Sequence, residues 1–240
     1  MNSSLQDHHI NATVKLATER GYHCVLVNPV RPDLKKDICD LECIDYSRVE
    51  PVSESIEVIK SMFGNDSEIY AIGYSLGSNH LMRHLGAHKD CKDICGIRAA
   101  VSISGAYDLR ATTVTIQHRV LGMYDYYILH QLQESFSKGK FRATSQDPDL
   151  FHKKAYQAKN MTEFDTLIRG PIFGYRGASR LFRHISCDVF IPQIETPLFA
   201  LTAKDDSITD YDFVPIDDLK RNPNIILAVV ERGGHCNLFF

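Results

Sequence analysis

Apolar residues along the chain fall into short continuous runs that are separated by segments with helical spacing. The short runs predict buried strands at residues 23–28, 68–74, 98–104, 198–203 and 224–231. Spaced apolar residues predict helices at residues 12–20, 53–63 and 76–85. Because continuous apolar strands alternate here with helices, the pattern predicts an α/β fold. We expect a mostly parallel sheet with helices on both of its faces.

Residues 110–195 break this alternation. The segment is long and aromatic, its spacing is mostly helical, and it contains no clear strand pattern. We interpret it as a helical, cap-like insertion within a single domain that spans residues 1–240. A length of 240 residues suits one such α/β domain.

Composition and charge exclude several classes of protein. Apolar residues make up 44% and charged residues 24% of the chain, which excludes disordered and fibrous proteins. With 27 basic and 30 acidic residues, the net charge of −3 gives no electrostatic reason to bind nucleic acid. We find neither a signal peptide nor an apolar run of about 18 residues. The sequence therefore predicts an intracellular protein, cytoplasmic or peripherally membrane-associated, whose seven cysteines are mostly reduced.

Residues 73–77 read Gly-Tyr-Ser-Leu-Gly and lie between a predicted strand and a predicted helix. A G-x-S-x-G motif in this setting is typical of a nucleophile elbow, a sharp turn that exposes the serine hydroxyl. Ser75 is then the candidate nucleophile. The backbone N–H of Leu76, at the start of the helix, is a candidate donor to an oxyanion. The alternative is a glycine-rich turn that only packs a helix against a sheet.

A serine nucleophile requires a base and an acid that orients the base. His235 lies in a glycine-flanked loop just after the last predicted strand, and Asp205 and Asp206 follow the strand before it. The order Ser, Asp, His is that of the α/β-hydrolases. Either aspartate could be the acid, and we favour Asp206 because it leaves the strand a longer exit turn. The alternative for His235 is an ordinary histidine of a surface loop.

Other groupings of histidine and cysteine do not predict a metal site. His80, His84 and His88 are four residues apart, and we expect them to form a polar helix face rather than to bind a metal. The cysteine pairs 39/43 and 91/95 lack the spacing of common zinc sites and are predicted to be free thiols. The sequence has no phosphate-binding loop motif. We therefore predict no metal and no cofactor.

Several segments resemble one branch of the α/β-hydrolase superfamily, the abhydrolase-domain esterases and acylglycerol lipases known as the AB hydrolase 4 family. The resemblance includes the elbow, the exit of the strand after it, the insertion, the acid loop and the histidine loop. The matching segments are residues 73–79, 102–109, 164–165, 173–175, 203–206 and 233–235.

This resemblance implies an α/β-hydrolase fold with a helical cap. It implies hydrolysis of short- or medium-chain acyl esters or acylglycerols, and in some members acyl transfer to an alcohol. The implied roles are nucleophile for Ser75, acid for Asp206 and base for His235, without a cofactor. The implied partner is a small acyl ester or a lipid, not a nucleic acid. A full-length form could associate with a membrane. Oligomeric state and acyl chain length stay open.

The chain also departs from the family pattern. The family's first core strands, and the loop that donates a second oxyanion N–H, precede the helix at residues 12–20. Its closing helix follows the histidine loop, and we therefore expect a sequence truncated at both ends. Loss of one oxyanion donor typically lowers the rate by about 10²–10³-fold. The alternative function is thus a catalytically impaired remnant that acts as a binding protein.

Overall fold

A computed structural model describes residues 8–27, 49–88, 96–138 and 148–236. The chain divides into two compact units. The described part of the first unit comprises residues 8–27, 49–107 and 187–236, apart from the gap before residue 96. The described part of the second unit lies within residues 108–186.

A parallel sheet forms the centre of the first unit. Its described strands are β1 (Ile69–Tyr74), β2 (Ile97–Ile103), β3 (Leu198–Ala203) and β4 (Ile225–Val230). They lie side by side in the order β1-β2-β3-β4, and each neighbouring pair is parallel. Four of the five predicted strands are confirmed, and the observed bounds of each lie within one residue of the prediction.

The helices described in the first unit are α1 (His8–Glu19), α2 (Glu50–Phe63), α3 (Leu76–Ala87) and α10 (Ile216–Arg221). Short 3₁₀ turns occupy Asp188–Gln193 and Tyr211–Phe213. Three predicted helices are confirmed, although α1 begins four residues before its predicted start. Met82 and Leu85 of α3 are fully buried and pack in one core with Leu219 of α10.

The strand register aligns two rows of side chains, one on each face of the sheet. The covered row contains Ala71, Ala100, Leu198 and Ile225. It packs in the core that α3 and α10 share, and its last three members are less than 10% exposed.

The open row lies one residue further along each strand, on the opposite face, and contains Ile72, Val101, Phe199 and Ile226. Ile72 is 46% exposed, Phe199 39% and Ile226 68%. Helix α1 contacts this face near the end of β1, where the Thr13 hydroxyl hydrogen-bonds the Tyr74 hydroxyl at 2.6 Å.

The prediction of a strand at residues 23–28 is wrong over the residues that the structure describes, which end at 27. Residues 22–27 adopt no regular structure, and Val25, Leu26 and Val27 are exposed. An apolar run becomes a strand only when a neighbouring strand satisfies its backbone groups. In the described sheet β1 pairs only with β2, so this segment is not part of it.

The described part of the second unit is helical. Its helices are α4 (Leu109–His118), α5 (Met123–Lys138), α6 (Pro148–Gln157), α7 (Met161–Phe164), α8 (Gly170–Ile172) and α9 (Ala178–Ile185). A 3₁₀ turn (Arg119–Gly122) and a π-helical segment (Asp165–Arg169) join them. The helical character predicted for this region is confirmed, and its role as a cap and the boundaries 110–195 stay predictions.

Buried residues stabilise these helices in two apolar clusters. Phe164 and Ile168 belong to one cluster, and Leu181 and Ile185 of α9 belong to the other. None of the helices within the described residues is both long enough and apolar enough to cross a membrane.

Candidate active site

Ser75 lies at the turn between β1 and α3. Its φ of 52° and ψ of −118° are strained for a residue with a side chain, as expected of a nucleophile elbow. The Ser75 N–H donates to the carbonyl of Ile103 at 2.9 Å, which ties the turn to β2. Leu76 is the first residue of α3, so its N–H belongs to the helix N-terminus.

The two glycines of the motif play different steric roles. A Cβ at Gly73 would lie 2.6 Å from the Cα of Ser78 and 2.8 Å from the carbonyl oxygen of Gly77. A Cβ at Gly77 would meet no atom within 4 Å. Only the first glycine is therefore needed for the close approach of strand and helix.

His235 lies between Ser75 and Asp206. Its Nε2 is 2.8 Å from the Oγ of Ser75, and its Nδ1 is 2.9 Å from Oδ2 and 3.1 Å from Oδ1 of Asp206. A neutral ring with its proton on Nδ1 donates to the carboxylate and accepts from the serine hydroxyl. The structure therefore brings together the three side chains that the sequence singled out.

Asp206 is fully buried, and its carboxylate accepts several hydrogen bonds. Oδ1 accepts from the N–H groups of Ile208 and Thr209 at 2.8 and 2.9 Å, and Oδ2 accepts from the Thr209 hydroxyl at 2.7 Å. Asp205, the other candidate acid, points to a different partner: its Oδ1 accepts from the N–H groups of Gly233 and Gly234. Of the two aspartates, Asp206 contacts the imidazole.

The local environment moves the pKa values of Asp206 and His235 apart. Burial raises the pKa of Asp206, but the hydrogen bond and charge of His235, with the donors of Thr209 and Ile208, hold it below its usual value. Burial lowers the pKa of His235, and the carboxylate of Asp206 with the neighbouring Cys236 side chain outweighs that effect and raises it. Asp206 is therefore ionised at neutral pH and stabilises a charged imidazole.

The histidines of α3 differ from the prediction. His80 and His84 are 3% and 1% exposed, so they do not form a polar surface. The Nδ1 of His84 instead lies 3.3 Å from the Oγ of Ser53 on α2. The described residues contain no cluster that could hold a metal ion. The cysteine pairs 39/43 and 91/95 lie outside the described residues.

Sequence reasoning missed two hydroxyl residues of the site. Thr209 follows Asp206 by three residues and donates to its carboxylate. An aspartate that accepts from N–H groups two and three residues later is a common turn pattern, so this spacing could have predicted the contact. Ser104 follows the end of β2 and accepts from the N–H of Cys236 at 3.1 Å. Only its place at the carboxyl end of a strand could have suggested it.

Comparison with known proteins identifies relatives, although no family model matches the chain. A monoacylglycerol lipase of Saccharomyces cerevisiae is 31% identical over 177 residues, which are 72% of this chain and 38% of the yeast protein. The phospholipase ABHD3 of Mus musculus is 24% identical over 98% of this chain and 56% of the mouse protein. The chain thus spans about half or less of the length of these relatives.

A solved structure, Est1E from Butyrivibrio proteoclasticus, matches 99% of this chain and 77% of its own length. Its TM-score is 0.52 at 15% sequence identity, which is evidence for the fold alone. The chain is therefore related to the abhydrolase-domain lipases and esterases that its residues resemble, and it has the α/β-hydrolase fold.

Proposed function

We propose that this chain is a serine hydrolase that cleaves carboxylic esters through Ser75, His235 and Asp206. The observation that carries the proposal is the continuous line of hydrogen bonds from the Ser75 hydroxyl to His235 Nε2 and from Nδ1 to Asp206. A surface histidine or a glycine-rich packing turn has no need of this arrangement. Nucleophilic acyl transfer requires it.

In the first half of the reaction, the Oγ of Ser75 attacks the ester carbonyl carbon while its proton passes to Nε2 of His235. Asp206 stabilises the imidazolium that forms. The N–H of Leu76 donates to the oxyanion of the tetrahedral intermediate. The intermediate collapses when the bond to the alcohol oxygen breaks, and the alcohol leaves with the proton from His235. Ser75 is left as an acyl-enzyme.

In the second half, His235 takes a proton from water, and the hydroxide attacks the acyl carbon. The bond to Ser75 breaks, the serine recovers its proton from His235, and a carboxylic acid leaves. An alcohol in place of water would give acyl transfer instead of hydrolysis. Neither route uses a cofactor.

We infer that the substrate is an acyl ester of short or medium chain, or an acylglycerol. The relatives include proteins named monoacylglycerol lipase and phospholipase, and both names denote action on lipid esters. This likeness favours a lipid ester over other carboxylic esters.

The test is labelling of the purified 240-residue chain with a fluorophosphonate probe, which reacts with activated serines, followed by intact-mass measurement. We expect a single adduct that disappears in Ser75→Ala and persists in Ser61→Ala, a control at an exposed serine of α2. A folded chain that gains no adduct would overturn the proposal and favour the alternative, a binding protein that has lost turnover.

A further inference from the structure

The loop that carries His235 has an unfavourable backbone conformation within its described residues, 231–236. Gly234 before the histidine has φ of 57°, and Cys236 after it has φ of 60°, which is unfavourable for a residue with a side chain. Such a loop does not hold one position by its own preference. Nucleophilic catalysis nevertheless depends on the position of the base, since a misplacement of about 1 Å can cost about 10²-fold in rate.

Asp205 holds one side of this loop. Its Oδ1 accepts from the N–H of Gly233 at 2.9 Å and from the N–H of Gly234 at 2.8 Å. The side chain is exposed, so these bonds link two loops at the surface and are not part of a buried core. Asp205 follows β3 and the glycines follow β4, so the bonds join the carboxyl ends of neighbouring strands.

Ser104 holds the other side. Its hydroxyl oxygen accepts from the N–H of Cys236 at 3.1 Å, and the residue is fully buried. Ser104 also has a positive φ of 49°, and its own N–H donates to the carbonyl of Leu201 at 2.9 Å. The oxygen that meets the histidine loop is therefore anchored to β3.

We propose that Asp205 and Ser104 are positioning residues, which hold the backbone on both sides of His235 so that Nε2 faces Ser75. The role rests on the function proposed above. Asp205 acts as a hydrogen-bond acceptor for the backbone, whereas Asp206 acts on the imidazole itself. A neutral side chain with an oxygen at the same place should therefore replace Asp205.

The first experiment compares Asp205→Ala with Asp205→Asn by the rate of fluorophosphonate labelling and by thermal unfolding. We expect Asp205→Ala to label about tenfold more slowly, with a change in Tm no larger than that of an exposed control, Asp66→Ala. Asp205→Asn keeps an acceptor oxygen at the same position, and we expect a rate within about threefold of the unchanged chain. This rescue separates positioning by a hydrogen bond from any effect of charge.

A second readout does not depend on catalysis. Amide hydrogen exchange at Gly233 and Gly234 should become at least about tenfold faster in Asp205→Ala, and exchange at Cys236 should become faster in Ser104→Ala. Asp205→Asn should leave the glycine amides close to their original rates. The same measurements on Asp66→Ala should show no change at any of the three amides.

The outcomes distinguish the two proposals. If the unchanged chain is not labelled but the amides respond as expected, the serine hydrolase proposal fails and the holding role of the two residues stands. If the unchanged chain is labelled and Asp205→Ala labels equally fast, the positioning role is wrong. It is also wrong if Asp205→Asn is as slow as Asp205→Ala, or if the glycine amides exchange at unchanged rates.

Discussion

The sheet strands that the structure describes, β1 to β4, form two contrasting regions. At their carboxyl ends, the buried side chains of Ser75 and Asp206 both hydrogen-bond the partly buried side chain of His235. Across the open row, apolar side chains such as Phe199 and Ile226 lie exposed. A soluble fold normally arranges the two kinds of residue the other way round.

The two regions should therefore respond differently to substitution. Buried polar groups that are hydrogen-bonded to one another hold a fixed geometry, so a change there should slow the reaction and also lower stability wherever it leaves a group unpaired. Exposed apolar groups have few partners to lose. The covered row differs from both regions, because its residues are apolar and buried and should affect mainly folding.

The largest effect is expected at the strand ends. Asp206→Asn removes the carboxylate that fixes the tautomer of His235 and stabilises its charge, and we expect labelling of Ser75 to slow by about 10⁴-fold. Loss of the equivalent charge in a catalytic triad has this magnitude because the ring then presents the wrong nitrogen to the serine. Rates from intact mass, with Asp66→Asn as control, measure it. A loss below tenfold would contradict the role of Asp206.

The second prediction compares neighbouring residues of β4. Ile225 is 7% exposed in the covered row, and Ile226 is 68% exposed in the open row. Ile225→Thr loses buried apolar atoms and buries a hydroxyl, and should cost about 2–4 kcal/mol in the free energy of unfolding. Ile226→Thr should change it by no more than about 0.5 kcal/mol. Urea unfolding of both variants measures the difference, and equal losses would show that the open row is buried in solution.

The third prediction compares the two glycines of the elbow. Gly73→Ala places a Cβ 2.6 Å from the Cα of Ser78, so the backbone must shift, and we expect a loss of about 1–3 kcal/mol in stability together with slower labelling of Ser75. Gly77→Ala meets no atom within 4 Å and lies in α3, where alanine is favoured by about 0.5–1 kcal/mol. Changes in Tm of opposite sign for the two variants would support the different steric roles of the two glycines. Equal losses in Tm would refute them.

The positions of the site residues at the strand ends were more predictable from the sequence than the burial of the covered and open rows. The run at residues 198–203 has the same bounds in the structure, and the residues that follow it and the next strand include Asp206 and His235. Position after a strand is a local property, so it can be read from the sequence. The choice between Asp205 and Asp206 is not local, because adjacent side chains point in different directions and only the folded loops determine which one meets the imidazole.

The failures have a common physical cause. The apolar run at residues 23–28 predicts a strand. A strand forms only when another strand pairs with it, and the sequence pattern does not show which strand that would be. The spacing of His80 and His84 predicted a polar helix face. In the structure, however, helix α3 is buried along most of its length. Both errors concern which part of the fold packs against a helix or strand. The hydrophobic periodicity of the sequence does not show this.

The smallest expected effect is a shift in the pH dependence of the strand-end region. Ser75 is activated only when His235 is neutral. Burial lowers the pKa of His235, but the hydrogen bond and charge of Asp206, with the neighbouring Cys236 side chain, hold it above its usual value of about 6.5. Labelling should therefore rise with pH through a midpoint above 6.5. In Asp206→Asn the favourable charge is gone and burial remains, so the midpoint should move to lower pH.

Ring NMR of His235 follows the titration in both chains, because it does not depend on the rate of labelling. The open-row change Ile226→Thr should leave the midpoint unchanged, since that side chain is exposed and carries no charge. A midpoint at or below pH 6.5 in the unchanged chain would mean that the carboxylate of Asp206 does not stabilise the imidazolium of His235. The polar contacts at the strand ends would then not explain the activation of Ser75.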